Sequence, residues 1–120
     1  MKLPRRVERR RHERMRLGGS ALLLVDPRGG LIGVKGKLVD LSEGGCRLSF
    51  RRHVDQDLAG RLRLSVAGTA LWLPVVTRHI VSDGRHWTVH CAFGALTTKK
   101  HDALRTLLFE LSLERDRRSA

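Results

Sequence analysis

The chain has 120 residues, with 24 lysines and arginines against 12 acids for a net charge of +12, and 41% hydrophobic and 4% aromatic content. This length supports one domain around one core, and the charge calls for a polyanionic partner: nucleic acid, a nucleotide or an anionic membrane surface. No apolar run approaches the ~20 residues of a membrane span, the basic start lacks the apolar stretch of a secretory signal, and two cysteines make no disulfide framework, so a cytoplasmic protein is expected.

In chain order, residues 1–17 offer almost nothing to bury and are expected to form a flexible basic arm, ahead of a folded unit over residues 18–117. Lys2, Arg5, Arg6, Arg9, Arg10, Arg11, Arg14 and Arg16 stand there against only Glu8 and Glu13, which is half the net charge. Ser20 to Asp26 is an apolar run ended by the turn residues Pro27-Arg28-Gly29-Gly30. Leu31 to Leu41 resumes as a second strand, with bulges or bends expected at Gly33 and Gly36. A polar turn, Asp40-Leu41-Ser42-Glu43-Gly44-Gly45, follows at once.

Period-two alternation is then clear. Cys46, Leu48 and Phe50 point one way, and Arg47, Ser49 and Arg51 the other. Leu62, Leu64 and Val66 repeat the pattern, and Ala67-Gly68-Thr69 connects to a long strand over Ala70–Val81, with Pro74 at an edge or bulge. Ser82-Asp83-Gly84-Arg85 is a hairpin turn. The last strand places Trp87, Val89, Cys91 and Phe93 inward and His86, Thr88 and His90 outward. Six such segments at short spacing suit antiparallel pairing. The period then changes: Leu104, Leu107, Leu108 and Leu111 form one helical stripe between about Thr98 and Arg115, with Thr97 or Thr98 as cap. The expected fold is mainly β, a six-stranded antiparallel barrel covered by a C-terminal helix.

Two constellations carry chemistry. Arginines stand four apart at Arg5/Arg9, Arg6/Arg10 and Arg10/Arg14, and their forks can hold phosphate oxygens or the O6/N7 edge of guanine. Asp40 can accept from the N1–H and N2–H₂ edge of a guanine, and Ser42 can donate or accept beside it. Gly44 and Gly45 permit positive φ and close backbone approach. A solvated basic tail and an ordinary Asx or Ser turn are the plainer readings of each feature alone.

Other chemistry finds little support. His86 and His90 lie ~13 Å apart along a strand, too far for one zinc ion, so no metal site is expected. Ser42 has no nucleophile-elbow setting, and no paired carboxylates are evident, so no enzyme is expected. Cys46 and Cys91 read as buried thiols and Trp72 and Trp87 as core, with lining of a ligand surface the alternative for either tryptophan and for Arg78.

Arg9-Arg10-x-x-x-Arg14 before the first strand and Asp40-x-Ser42-x-x-Gly45 after the second resemble the PilZ domain, the bacterial receptor module for cyclic di-GMP. The likeness runs through the strand pattern to His90-Cys91-Ala92-Phe93 and the helix from Thr98, over about residues 8–115. It implies that Arg10 and Arg14 hold the ligand's phosphates and guanine edges, and that Arg9 goes with binding a stacked pair of ligand molecules. Asp40 and Ser42 would contact a guanine, and Gly45 would shape the turn. The arginine repeat leaves other registers open, such as Arg6/Arg10, and Thr88-Val89 stands where many members carry glycine. The implied function is a non-enzymatic receptor, without a cofactor, that takes one or two cyclic di-GMP molecules. Its arm would close on binding and relay the signal to an unidentified downstream protein. The alternative is a nucleic-acid-binding barrel using the basic arm, which Asp40 opposes by placing an acid near phosphates.

Overall fold

Alternating side chains give each extended segment one face to bury, and six such faces are buried together only if the sheet curls and closes. The structure is a computed structural model describing residues 15–26 and 28–119. Its elements are β1 (Met15–Val25), β2 (Ile32–Leu41), β3 (Gly45–Phe50), β4 (Ala59–Val66), β5 (Thr69–Ser82), β6 (Trp87–Phe93) and α1 (Thr98–Ser119). The strands form a closed antiparallel barrel in the order β1-β2-β3-β6-β5-β4, which leaves no edge strand open to stray pairing. The six-stranded barrel with its C-terminal helix is thus the fold that the alternation predicts.

Leu23, Leu48, Phe50, Leu62, Leu64 and Val89 are fully buried inside it, each large aliphatic or aromatic side chain contributing about 1.5–3 kcal/mol by leaving water. Cys46 and Cys91 are buried, unbridged and in register with each other across β3 and β6. Pro74 lies just beyond the last β5–β6 pair, Val75 with Phe93, and its carbonyl accepts the Gly94 N–H at 2.8 Å.

The helix begins where Thr97 caps it: the Lys100 N–H donates to Thr97 Oγ1 at 3.2 Å and the His101 N–H to the Thr97 carbonyl at 2.9 Å. Leu104, Leu107 and Leu111 join the barrel's core cluster, and the helix packs against β5 and β1.

Two expectations change. The irregularity in β2 falls between Leu38 and Asp40, not at Gly33 or Gly36. Gly36 answers a need for space: a Cβ there would stand 2.4 Å from a ring carbon of Phe50. Trp72 is not a core residue. It stands opposite Arg63 on the outer face of β4–β5, with the guanidinium carbons of Arg61 and Arg63 at 5.1 and 5.8 Å from its ring centroid. Trp87 faces inward but only half-buried, edge-on to His53 at 6.3 Å.

Candidate functional site

The bulge in β2 builds the site. Leu38 pairs with Leu48, but Asp40 pairs with Arg47, so β2 carries one extra residue, Val39, at that point. One inserted residue reverses the alternation beyond it. Leu41, not Asp40, therefore fills the core position and is fully buried, while Asp40 turns to the side of the sheet that Arg47 occupies.

There the Arg47 guanidinium, through Nε and a terminal nitrogen, binds one carboxylate oxygen of Asp40. Asp40 is fully buried and Arg47 partly exposed, so the carboxylate is held from the solvent side by a cation that can itself reach a ligand. The row continues across the barrel by register: Arg16 on β1 is opposite Asp40, His90 on β6 is opposite Arg47, and His79 on β5 is opposite His90. The two histidine rings meet edge to face at 5.5 Å.

The turn after Asp40 satisfies its own backbone. The Ser42 N–H and hydroxyl both donate to the Gly45 carbonyl, at 2.9 and 3.2 Å, and the Phe93 N–H donates to the Gly44 carbonyl at 3.0 Å. With its proton committed, the buried Ser42 hydroxyl offers a ligand only acceptor capacity. Of the two freedoms a glycine permits here, Gly45 does not use positive φ; its role is close approach. A Cβ there would lie 2.1 Å from the Cys91 carbonyl oxygen, so only glycine lets β3 meet β6 at this point. Glu43 reaches the helix instead, 3.2 Å from Arg105 Nε.

Of the residues expected to form the site, Asp40, Ser42 and Gly45 come together at this turn. Arg9, Arg10 and Arg14 lie outside the described residues. The described chain does begin beside the turn: Met15, next in sequence after Arg14, is in register with Leu41. Arg78 is drawn elsewhere, to Asp57 at 3.6 Å. Sequence reasoning missed Arg47 and His90 as members of the row. Their outward alternation was visible, but their alignment with Asp40 depends on the bulge. Among the described residues no group of three potential metal ligands is assembled, and no helix is long and apolar enough to cross a membrane.

Known proteins supply an independent measure of this arrangement. The family description that matches is the PilZ domain, over residues 8–110. No curated protein sequence matches the chain significantly. Among solved structures, the MrkH–c-di-GMP complex from K. pneumonia superposes with a TM-score of 0.74 at 18% identity, covering 90% of this chain and 54% of that one. The PilZ domain of YcgR from Escherichia coli, with c-di-GMP, gives 0.74 at 15% identity, covering 92% and 97%. The Bacillus subtilis inhibitor of motility MotI/DgrA gives 0.69 at 12% identity, covering 86% and 51%. The chain thus spans about half the length of MrkH and MotI, and at these identities the likeness is one of fold.

Proposed function

The chain belongs to the PilZ domain family, and from that premise we propose that it is a non-enzymatic receptor for cyclic di-GMP. The observation that carries the reading is the junction at the barrel's end. The Asp40–Gly45 turn and the residue that follows the arginine motif stand on neighbouring strands, with Met15 opposite Leu41. A ligand over the turn would therefore lie beside Met15, the residue that follows the motif in sequence.

In this reading Arg10 and Arg14 take the ligand's phosphates and guanine edges, and Arg9 tunes whether one or two molecules bind. Asp40 and Ser42 receive guanine N–H groups as acceptors. Arg47 then has a second role. It neutralises the buried carboxylate in the free protein, and its planar fork can stack on or bond to a guanine that takes over part of Asp40. Charge-assisted bonds contribute ~1.5–3 kcal/mol each, enough for a few to offset the ordering of a short arm. The ordered arm would present a new surface to a downstream protein.

Calorimetric titration with cyclic di-GMP tests this. Arg10→Ala or Arg14→Ala should abolish the heat of binding while circular dichroism shows an unchanged barrel. Wild-type protein that ignores the dinucleotide at high micromolar concentration sinks the proposal. One observation favours the alternative of nucleic-acid binding: a half-buried outer-face tryptophan flanked by two arginines, Trp72 with Arg61 and Arg63, has the ingredients of a base-stacking platform. That reading predicts steep salt dependence in gel shifts and loss of binding in Trp72→Ala, neither of which the dinucleotide receptor requires.

A further inference from the structure

The end of the barrel away from the Asp40 turn carries a second concavity, which the receptor reading does not use. It is an open cleft of about 450 Å³ between the β1–β2 hairpin and the loop joining β3 to β4. Val25, Val34, Val54 and Leu58 line its floor, and Arg28, Leu31 and Arg52 line its rim. β1 spans the interval between the two places, with Met15 opposite Leu41 at one end and Val25 opposite Ile32 at the other. At ~3.3 Å per residue the two sites lie roughly 30 Å apart along the strand, so both can be occupied at once.

Three features mark the cleft as a prepared surface. The loop forming one wall is clamped by the fully buried Thr77: its hydroxyl donates to the Asp55 carbonyl at 2.7 Å and accepts the Leu58 N–H at 3.0 Å. The same loop turns through Asp57 at φ 59°, the left-handed region that Asp adopts more readily than most residues. Leu31 is 72% exposed, the most exposed of the large hydrophobic residues described.

The third feature is charge. Arg28 and Arg52 are exposed, and neither is ion-paired among the described residues. Of the loop's acids, Asp55 also lines the cleft and lies 3.4 Å from His53, while Asp57 pairs with Arg78. Two arginines against the one carboxylate of Asp55 therefore stand around an apolar floor, a net positive rim.

We propose that this mouth is a docking site for an acidic peptide segment of a protein partner. An aliphatic side chain of the partner sits on Val25, Val34, Val54 and Leu58 and covers Leu31, and flanking carboxylates take the guanidinium forks of Arg28 and Arg52. A cleft open between two loops suits a peptide crossing it better than an acyl chain, which needs an enclosed cavity. The inference does not depend on dinucleotide binding at the other end.

The test uses the full chain without cyclic di-GMP and a fluorescein-labelled peptide, Glu-Asp-Leu-Leu-Asp-Glu, followed by anisotropy and by methyl chemical shifts. Saturable binding is expected, with shifts at Leu31, Val54 and Leu58. Leu31→Asp, and Arg28→Glu with Arg52→Glu, should each weaken it about tenfold or more. These rim residues are exposed, so the variants should fold, which circular dichroism checks. Replacing both peptide leucines by serine should weaken binding comparably, whereas Asp40→Asn should leave it unchanged. Absence of binding overturns the proposal. So does an equal loss from Arg63→Glu, at a residue that does not line the cleft and stands on the outer face of β4, since that would mean unspecific charge attraction. Displacement of the peptide by decanoate at lower concentration would reassign the cleft to an acyl ligand and overturn it too.

Discussion

Two turns of this molecule are spelled from the same letters and built on opposite principles. In Ser82-Asp83-Gly84-Arg85, the Asp83 carboxylate accepts the N–H groups of Arg85 at 2.9 Å and His86 at 2.7 Å, and Ser82 Oγ accepts that of Gly84 at 3.1 Å. The Ser82 and Asp83 side chains both serve the turn's own backbone, at an exposed tip. In the Asp40–Gly45 turn, Asp40 is fully buried and held by a guanidinium from the next strand, Glu43 reaches the helix, and Gly45 is pressed against a backbone carbonyl of β6. The first is a self-contained Asx turn of the ordinary kind. The second is joined to β3 and α1 by side chains and to β6 by backbone, and that is where a recognition site can be both preformed and sensitive to what binds it.

Five substitutions press on this contrast. The largest effect should come from Gly45→Val, whose branched side chain cannot fit beside the Cys91 carbonyl. A loss of about 3 kcal/mol or more is expected, seen as a fall in Tm of roughly 10 °C or as failure to fold. A Gly45→Val protein as stable as wild type would mean the turn is not wedged against β6. Next, Arg47→Ala leaves the buried Asp40 without that cation and should cost about 2–4 kcal/mol in urea denaturation. Adding Asp40→Asn to it should recover part of the loss, because the charge that needed compensation is gone.

The self-contained turn should respond more weakly. Gly84 sits at φ 92°, so Gly84→Ala should cost about 1 kcal/mol through strain at the tip alone, with dinucleotide binding unaffected. The smallest effect concerns pH. Hydrogen bonds from the His86 and Arg85 N–H groups hold the exposed Asp83 carboxyl below its ordinary value of 3.8. A depressed folded-state value stabilises fully above 3.8 and is lost as pH falls through the lower folded value. Asp83→Ala should therefore flatten the acid limb of the stability curve slightly and leave neutral binding untouched. A change in binding would show that the two turns are coupled.

The barrel was legible because period-two alternation reports burial directly, and the helix because Leu104, Leu107 and Leu111 report it with another period. The motif Asp40-x-Ser42-x-x-Gly45 was legible as a turn but not as a mechanism. Which face Asp40 takes depends on Val39 being the extra residue, and a bulge is decided by the partner strand rather than by local sequence. Arg47 was hidden for the same reason: seven residues from Asp40 in sequence, it becomes its neighbour only once the register is set. Gly45 was read as permitting positive φ and close backbone approach, but that the approach is made by β6 is a tertiary fact. Trp72 was misplaced because strand segments with apolar residues at consecutive positions, Leu71-Trp72-Leu73, do not say which one faces out; the two arginines opposite supply its cover.

The central claim is that the basic arm and the Asp40 turn are two halves of one site, and hydrogen exchange read by mass spectrometry tests it most directly. On adding cyclic di-GMP, slowed exchange is predicted together in peptides spanning residues 8–16 and 40–46, and Asp40→Asn should remove both protections at once. Protection of one segment without the other, or of neither at saturating dinucleotide, would contradict the account.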